Sequence, residues 1–347
     1  MRPAQTIDDR LLHLLVCPRD HSDLSVQDGC LCCAQGHTYP IVNGIPVFLL
    51  AEKPQTMQIA IQSLKAAETG SGAPLFLDTL GISAGEKHGI ERDWAAGSTT
   101  DPAISYLVGA TSGFAYKNLI GRLGRYPIPK IPVCDGRGRL LLDVGSNWGR
   151  WTVSAAQKGW RAIGIDPSLG ALAAAQRAFS PMGLDISFVC GDARFLPFRD
   201  GSVECVFSYS VVQHFSEQDA EVAIGEFGRV LSGGGKAKIQ LAHKGGLRAI
   251  YWRYRRDYME GGPFRVRYWS LQSMRQVFAA KIGASNLTAE TFGGLGLLAE
   301  DRDQVSTLGK LLITISTILK RATGLLPFLI RFADSVYVVA VKRRAPD

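Results

Sequence analysis

Four groups of residues could do chemistry. The loop "DVGSNWGRW" (143–151) places Asp143, Gly145 and Gly149 after a short apolar run and before a helical pattern. Glycine there lets the backbone turn tightly and approach a ligand closely, and the helix beyond offers N–H groups with no partner inside the helix. The spacing is D-x-G-x-x-x-G, not the full G-x-G-x-x-G of the dinucleotide fingerprint. Two acids, Asp166 and Asp192, each end a later apolar run. His214 follows a fourth run and His243 ends a fifth. An imidazole titrates near neutrality and suits a general base for a hydroxyl. Far upstream, "CPRDHSDLSVQDGCLCCAQGH" (17–37) gathers Cys17, Asp20, His21, Cys30, Cys32, Cys33 and His37, residue types that ligate zinc.

The elements that must position these groups are most regular from residue 140 onward. "LLLDVG" (140–145) is continuously apolar, as a strand buried on both faces should be. The pattern then predicts a helix over 150–160, a strand over 161–166 and a helix over 168–179 with Ser168 as N-cap. Strands are predicted at 186–193, 203–215 and 235–243, with a helix at 216–231 between the last two. Alternation of this kind implies a parallel sheet with helices on both faces. "SVYVVAVKR" (335–343) reads as an antiparallel strand finishing it. Cys190 and Cys205 fall inside strands and read as core.

Upstream, residues 8–50 read as a compact β-rich unit in which Gly44 and Pro46 punctuate a hairpin. Residues 51–134 read as a helical linker or cap, and 135–347 as the main domain, with insertions at about 245–285 and 300–332. Residues 248–270 interleave Arg248, Arg253, Arg255, Arg256, Arg265 and Arg267 with tyrosines and tryptophans. Placed after the fifth strand, this segment would lie over the ligand side of the sheet, where arginines suit anionic groups and aromatics suit sugar faces or bases. Residues 305–331 form an apolar–basic helical pair, read as a lid packed on the domain, with a membrane surface as the other placement.

The 347 residues carry a net charge of +8, with 46% hydrophobic and 20% charged. That composition suits a globular protein and permits a nucleic-acid, anionic-glycan or membrane-surface partner without requiring one. Seven cysteines, three of them clustered at 30, 32 and 33, are not a disulfide scaffold and read as reduced. No stretch reaches the ~20 apolar residues of a spanning helix. Asp8 and Asp9 precede only a very short apolar run, which does not make a secretory leader. The expectation is a cytoplasmic chain.

The landmarks "DVGSNWGRW", Asp166, "GDARFLPFRDGSVECVFSYSVVQHF" and "FGRVLSGGGKAKI" agree in spacing and order with class I S-adenosylmethionine-dependent methyltransferases, which residues 135–244 resemble. Ser232 and Gly233 stand where that family has Lys and Pro. The resemblance implies an α/β, Rossmann-like fold: a seven-stranded methyltransferase sheet with helices on both faces. It implies S-adenosyl-L-methionine as cofactor, held by Asp143, Gly145, Asn147, Gly149, Asp166, Asp192, Ala193 and Ser208. In that family the Asp166 position takes the ribose hydroxyls and the Asp192 position the adenine amino group. His214 is the candidate catalytic base.

Residues 11–50, "LLHLLVCPRDHSDLSVQDGCLCCAQGHTYPIVNGIPVFLL", resemble a small zinc-ribbon module known as a methyltransferase activator and as an N-terminal appendage of some methyltransferases. This implies a small N-terminal zinc-ribbon-like domain with structural zinc on Cys17, Asp20, Cys33 and His37. Asp20 replaces the second cysteine of the family's first pair, with His21, Cys30 and Cys32 as alternative ligands.

The function implied is methyl transfer to a hydroxyl on a sugar, glycan or small metabolite. "SYSV" (208–211) stands where amino-group methylases carry Asn-Pro-Pro-Tyr or Asp-Pro-Pro-Tyr. RNA is the alternative acceptor, and a non-catalytic cofactor-binding scaffold or partner protein is the alternative of another class.

Overall fold

The structure is a computed structural model. It describes all residues except 1–6, 70–74, 112–115, 117–119, 122, 248, 252–265, 294–297 and 345–347. After the one-turn helix α1 (Asp9–Leu12), four short strands form an antiparallel sheet in chain order: β1 (Leu24–Gln27), β2 (Cys30–Cys33), β3 (Thr38–Val42) and β4 (Ile45–Pro46). Asn43 and Gly44 turn β3 into β4 with φ of 51° and 78°, the left-handed pair a two-residue hairpin demands.

The linker is helical: α2 (Gln58–Thr69), a 3₁₀ turn at Leu77–Leu80, α3 (Ala84–Ala95) and α4 (Pro102–Thr111). Ser83 and Glu86 close α3 with a reciprocal capping box. The linker packs on the main sheet's second helix at its N-terminus. There Ser63 and Thr79 hydroxyls accept the N–H groups of Leu169 and Gly170 at 3.1 and 2.7 Å. The approach is close enough that a Cβ on Gly170 would meet the Phe76 carbonyl at 2.7 Å.

The main sheet contains β5 (Leu140–Val144), β6 (Arg161–Asp166), β7 (Ile186–Cys190), β8 (Val203–Tyr209), β9 (Leu231–Ala242), β10 (Ser285–Thr291) and β11 (Ser335–Val341). Their spatial order is β10-β11-β9-β8-β5-β6-β7, with β5 to β9 parallel and β11 antiparallel between β9 and β10. The helices are α5 (Arg150–Gln157), α6 (Leu169–Phe179), α7 (Glu217–Val230), α8 (Leu271–Lys281) and α9 (Thr307–Ala322). Ser168 caps α6 by accepting the Ala171 N–H at 3.2 Å. All five residues of β5 are buried, and each fully buried aliphatic side chain there contributes roughly 1.5–3 kcal/mol.

Three differences from the sequence pattern have local causes. The third strand ends at Cys190, so Asp192 sits two residues beyond it on a loop. The fourth strand ends at Tyr209, because Ser210 adopts φ 64° and the chain turns into a short 3₁₀ helix over Val212–His214. The strand at 335–343 does not finish the sheet: β10, with its polar sequence SNLTAET, lies outside it.

The small sheet is joined to the large one. Val16 N–H donates to the Pro197 carbonyl at 3.0 Å, Arg199 N–H to Leu14 at 3.0 Å, and Phe48 N–H to Cys190 at 2.7 Å. Leu31, Tyr39 and Phe48 belong to one apolar cluster with Val189, Leu196 and Phe198.

Candidate functional site

The loop after β5 is built by its neighbours. Gly145 and Ser146 N–H groups both donate to the Ile165 carbonyl, at 2.8 and 3.1 Å, which binds the loop to the end of β6. Asn147, at φ 48°, donates its N–H to Asp166 Oδ2 at 2.9 Å. Asp166 Oδ1 accepts the Ser168 N–H at 2.9 Å. Gly145 has φ 76°, and a Cβ there would meet Val211 Cγ2 at 2.1 Å, so the turn after β8 covers the loop. Gly149, at φ 80°, starts α5 without a side-chain cap, which leaves the helix N–H groups turned toward the loop.

Asp143 lies below. Its Oδ2 accepts the Thr152 hydroxyl at 2.7 Å, tying β5 to α5. Its Oδ1 is buried with no hydrogen-bond partner among the described residues. Burial pushes its carboxyl up to about 7 and that of Asp166 up to about 6. The Ser208 hydroxyl is buried and donates to the Val144 carbonyl at 2.9 Å, joining β8 to β5.

Asp192 is held by Arg194, whose Nη2 lies 2.6 Å from its Oδ2. The same buried guanidinium reaches Asp219 at 2.9 Å and the Pro54 carbonyl at 2.7 Å. It therefore fixes the Asp192–Ala193 turn between the linker and α7. The sequence reading missed Arg194; its place two residues after an acid, in a run otherwise apolar, was the available signal.

His214 ends the 3₁₀ helix after β8, half-buried. Gln213 beside it accepts the Ala242 N–H at its Oε1 and the Arg267 N–H at its carbonyl, at 3.0 and 2.7 Å. His243 is buried after β9, with Nδ1 3.0 Å from the Ala333 carbonyl. The described end of the arginine–aromatic segment, with Arg267 against Gln213 and Trp269 bridged to His243, thus lies at this edge. Arg248, Arg253, Arg255, Arg256 and Arg265 lie outside the described residues. Cys190 and Cys205 are buried in strands, where burial raises both thiols.

The second site is upstream. Cys17, Asp20, Cys33 and His37 bring one ligand atom each to within 4.8 Å of one another. His37 Nδ1 lies 3.4 Å from Cys17 Sγ, 3.3 Å from Cys33 Sγ and 3.3 Å from Asp20 Oδ2, and Cys33 Sγ lies 3.9 Å from Asp20 Oδ2. A tetrahedral zinc ion with ordinary bond lengths sets donor–donor edges of about 3.3–3.8 Å, so the set fits such an ion. His21, Cys30 and Cys32 are outside it. Asp20 is held well below the usual carboxylate range, first by the Ser22 hydroxyl and N–H. Burial raises Cys17, while at Cys33 burial is outweighed by the backbone N–H groups of His37 and Gln35 and the thiol is lowered. Tyr39 Oη, 3.1 Å from Cys17 Sγ, is held by Arg19 at 2.8 Å, and Arg19 in turn pairs with Glu52.

The strand order and the glycine loop define the Rossmann-like methyltransferase fold. The family described as "Methyltransferase domain" matches residues 141–235. Among curated relatives, the chain is 37% identical over 107 residues to the biotin biosynthesis bifunctional protein BioHC of Cellvibrio japonicus, covering 31% of this chain and 20% of that one. It is 32% identical over 120 residues to the demethylmenaquinone methyltransferase of Renibacterium salmoninarum, covering 34% and 48%. The chain thus spans less than half the length of these relatives. Among solved structures, phosphoethanolamine N-methyltransferase 2 of Haemonchus contortus with S-adenosyl-L-methionine superposes with TM-score 0.44 at 19% identity, covering 62% and 50%.

Proposed function

We propose that the chain is an S-adenosyl-L-methionine-dependent methyltransferase that acts on a hydroxyl of a sugar or small metabolite. The observation that carries the reading is the Gly145–Asn147 loop hydrogen-bonded onto the Asp166 carboxylate, at the carboxyl edge that also holds Asp192 and His214. The bound cofactor supplies an electrophilic methyl group on a sulfonium. Asp166, whose oxygens each have a lone pair left beyond the N–H they accept, takes the ribose hydroxyls. Asp143 offers its orphaned Oδ1 near the glycine loop, where a cation would favour the ionised form. Asp192 and Ala193 line the adenine side, and Arg194 holds that turn in place. His214 takes the acceptor proton as general base.

The zinc-ribbon-like unit over 8–50 holds a structural zinc on Cys17, Asp20, Cys33 and His37, and its role is to brace β7 and the turn after it. A main domain over 135–347 and a cap over 51–134 complete the division.

Calorimetric titration with S-adenosyl-L-methionine and its demethylated product tests the cofactor reading, which fails if neither binds. Profiling with labelled cofactor in extracts of a deletion strain tests the acceptor. Label on a glycan or small metabolite supports the proposal, and nuclease-sensitive label overturns the acceptor assignment. His214→Ala should lower kcat by about 10²–10⁴-fold with cofactor affinity unchanged.

A further inference from the structure

Helix α9 turns an apolar face to solvent. Leu308, Leu311, Ile315 and Ile318 are all exposed, Leu308 by 65%, and at 3.6 residues per turn they fall within an arc of about 80°. The opposite side faces the protein: Gly309 and Ile313 are buried, the Ser316 hydroxyl accepts the Phe292 N–H at 2.9 Å, and Lys320 pairs with Glu290 at 2.6 Å. The helix is therefore firmly seated, and its outer stripe is not a packing face that has come loose.

The stripe continues into the next turn. Leu325 is 87% exposed, and Leu326, Phe328 and Phe332 follow it onto the surface. A second segment joins at its end. The backbone of Gly246 runs so close to residues 333–334 that a Cβ there would meet Asp334 Cα at 2.5 Å, and Leu247 and Ile250 just beyond are also exposed. Exposed apolar residues gathered along one helix and the segments joined to its end mark an interaction site.

Charge selects the occupant. Residues 305–333 contain Lys310, Lys320, Arg321 and Arg331 and not one Asp or Glu. Lys310 and Arg321 are exposed on the flank of the apolar stripe, and Arg331 is exposed beside Phe332. A two-fold contact with a second copy would lay this patch against itself, adding like charge to like with no acid in residues 305–333 to neutralise it. An anionic bilayer surface instead accepts the leucines, isoleucines and phenylalanines at its acyl boundary and the cations at its headgroups. No helix among the described residues is long and apolar enough to cross a membrane, so the contact lies in the plane of the interface. We propose that α9 and the 3₁₀ turn Pro327–Phe332 form a docking surface for anionic lipid membranes. The Ala333 carbonyl that follows this surface lies beside His243, so the lipid-facing patch borders the carboxyl edge of the sheet.

The test is co-sedimentation of the full chain with phosphatidylcholine vesicles, with and without phosphatidylglycerol. The chain should pellet with the anionic vesicles. Leu311→Glu/Ile318→Glu/Phe328→Glu and, separately, Lys310→Glu/Arg321→Glu/Arg331→Glu should each weaken binding by about tenfold or more, with circular dichroism unchanged. Should the triple apolar variant fail to fold, Leu325→Glu at the most exposed position carries the same expectation at smaller size. The proposal is overturned if the wild-type chain stays in the supernatant with anionic vesicles, or if the apolar variants bind as well as wild type. It is also overturned if light scattering shows a wild-type dimer that these substitutions dissociate, which would make a second copy the occupant.

Discussion

The backbone N–H of Asn147 donates to Asp166 Oδ2 at 2.9 Å, so the glycine loop after β5 is held by the acid that ends β6. One carboxylate fixes the loop and, through Ser168, the start of α6. Asp166→Ala removes both bonds and the proposed ribose acceptor together. Cofactor affinity should fall about 100-fold and stability by about 1–3 kcal/mol, since two backbone donors lose their partner. Calorimetry with the demethylated cofactor and a denaturant melt check the two parts separately.

Gly145 makes a sharper case, because backbone and space both forbid a side chain. Its φ of 76° strains any L-residue, and a Cβ would meet Val211 Cγ2 at 2.1 Å. Gly145→Ala should cost about 1–3 kcal/mol and weaken cofactor binding. Adding Val211→Ala removes the clash and leaves the φ strain, so the double variant should recover part of the lost melting temperature. No recovery would show that Val211 does not press on the loop.

Asp143 gives a pH signature. Its carboxyl sits at about 7 in the folded chain through burial, against 3.8 for the free side chain. The folded state therefore binds the extra proton between these values. Stability should fall as pH rises from about 4 to about 8 and stay level above that, by about 2 kcal/mol between pH 5.5 and pH 8 from this group. Asp166, raised to about 6, adds a slope of the same sign. Asp143→Asn keeps an oxygen for the Thr152 hydroxyl and removes the titration. Its melting temperature relative to wild type should rise as pH goes from 5.5 to 8; a difference constant with pH would contradict a buried, raised carboxyl.

How far the sequence disclosed this arrangement depended on burial. Strands β5 and β6 are enclosed on both faces, so their apolar runs and the glycine and acid that end them were visible as pattern, and Ser168 was readable as a cap. Strand β10 was not, because SNLTAET at the sheet edge alternates polar residues with little apolar content. Arg194 was hidden for another reason. Its partners Asp219 and Pro54 are 25 and 140 residues away in sequence, and only the fold brings them together. The outer stripe of α9 had the periodicity of a packed lid, and only the seating of its opposite face reveals that it points to solvent.

The cluster at Cys17, Asp20, Cys33 and His37 lets metal binding be separated from folding. Cys33→Ser and His37→Ala each remove one donor and should abolish stoichiometric zinc as measured by atomic emission. Asp20→Cys replaces the hard oxygen with a thiolate and should tighten zinc in a chelator competition. Because Leu31, Tyr39 and Phe48 share a cluster with Val189 of β7 and Phe198 of the loop after it, losing the metal should not melt the small sheet alone. Chelation should shift one common unfolding transition downward, and the cofactor site should weaken with it, since Phe48 is bonded to Cys190 two residues before Asp192. An independent early transition, with the main melt and cofactor affinity untouched, would show that the small sheet is a passenger and not a brace.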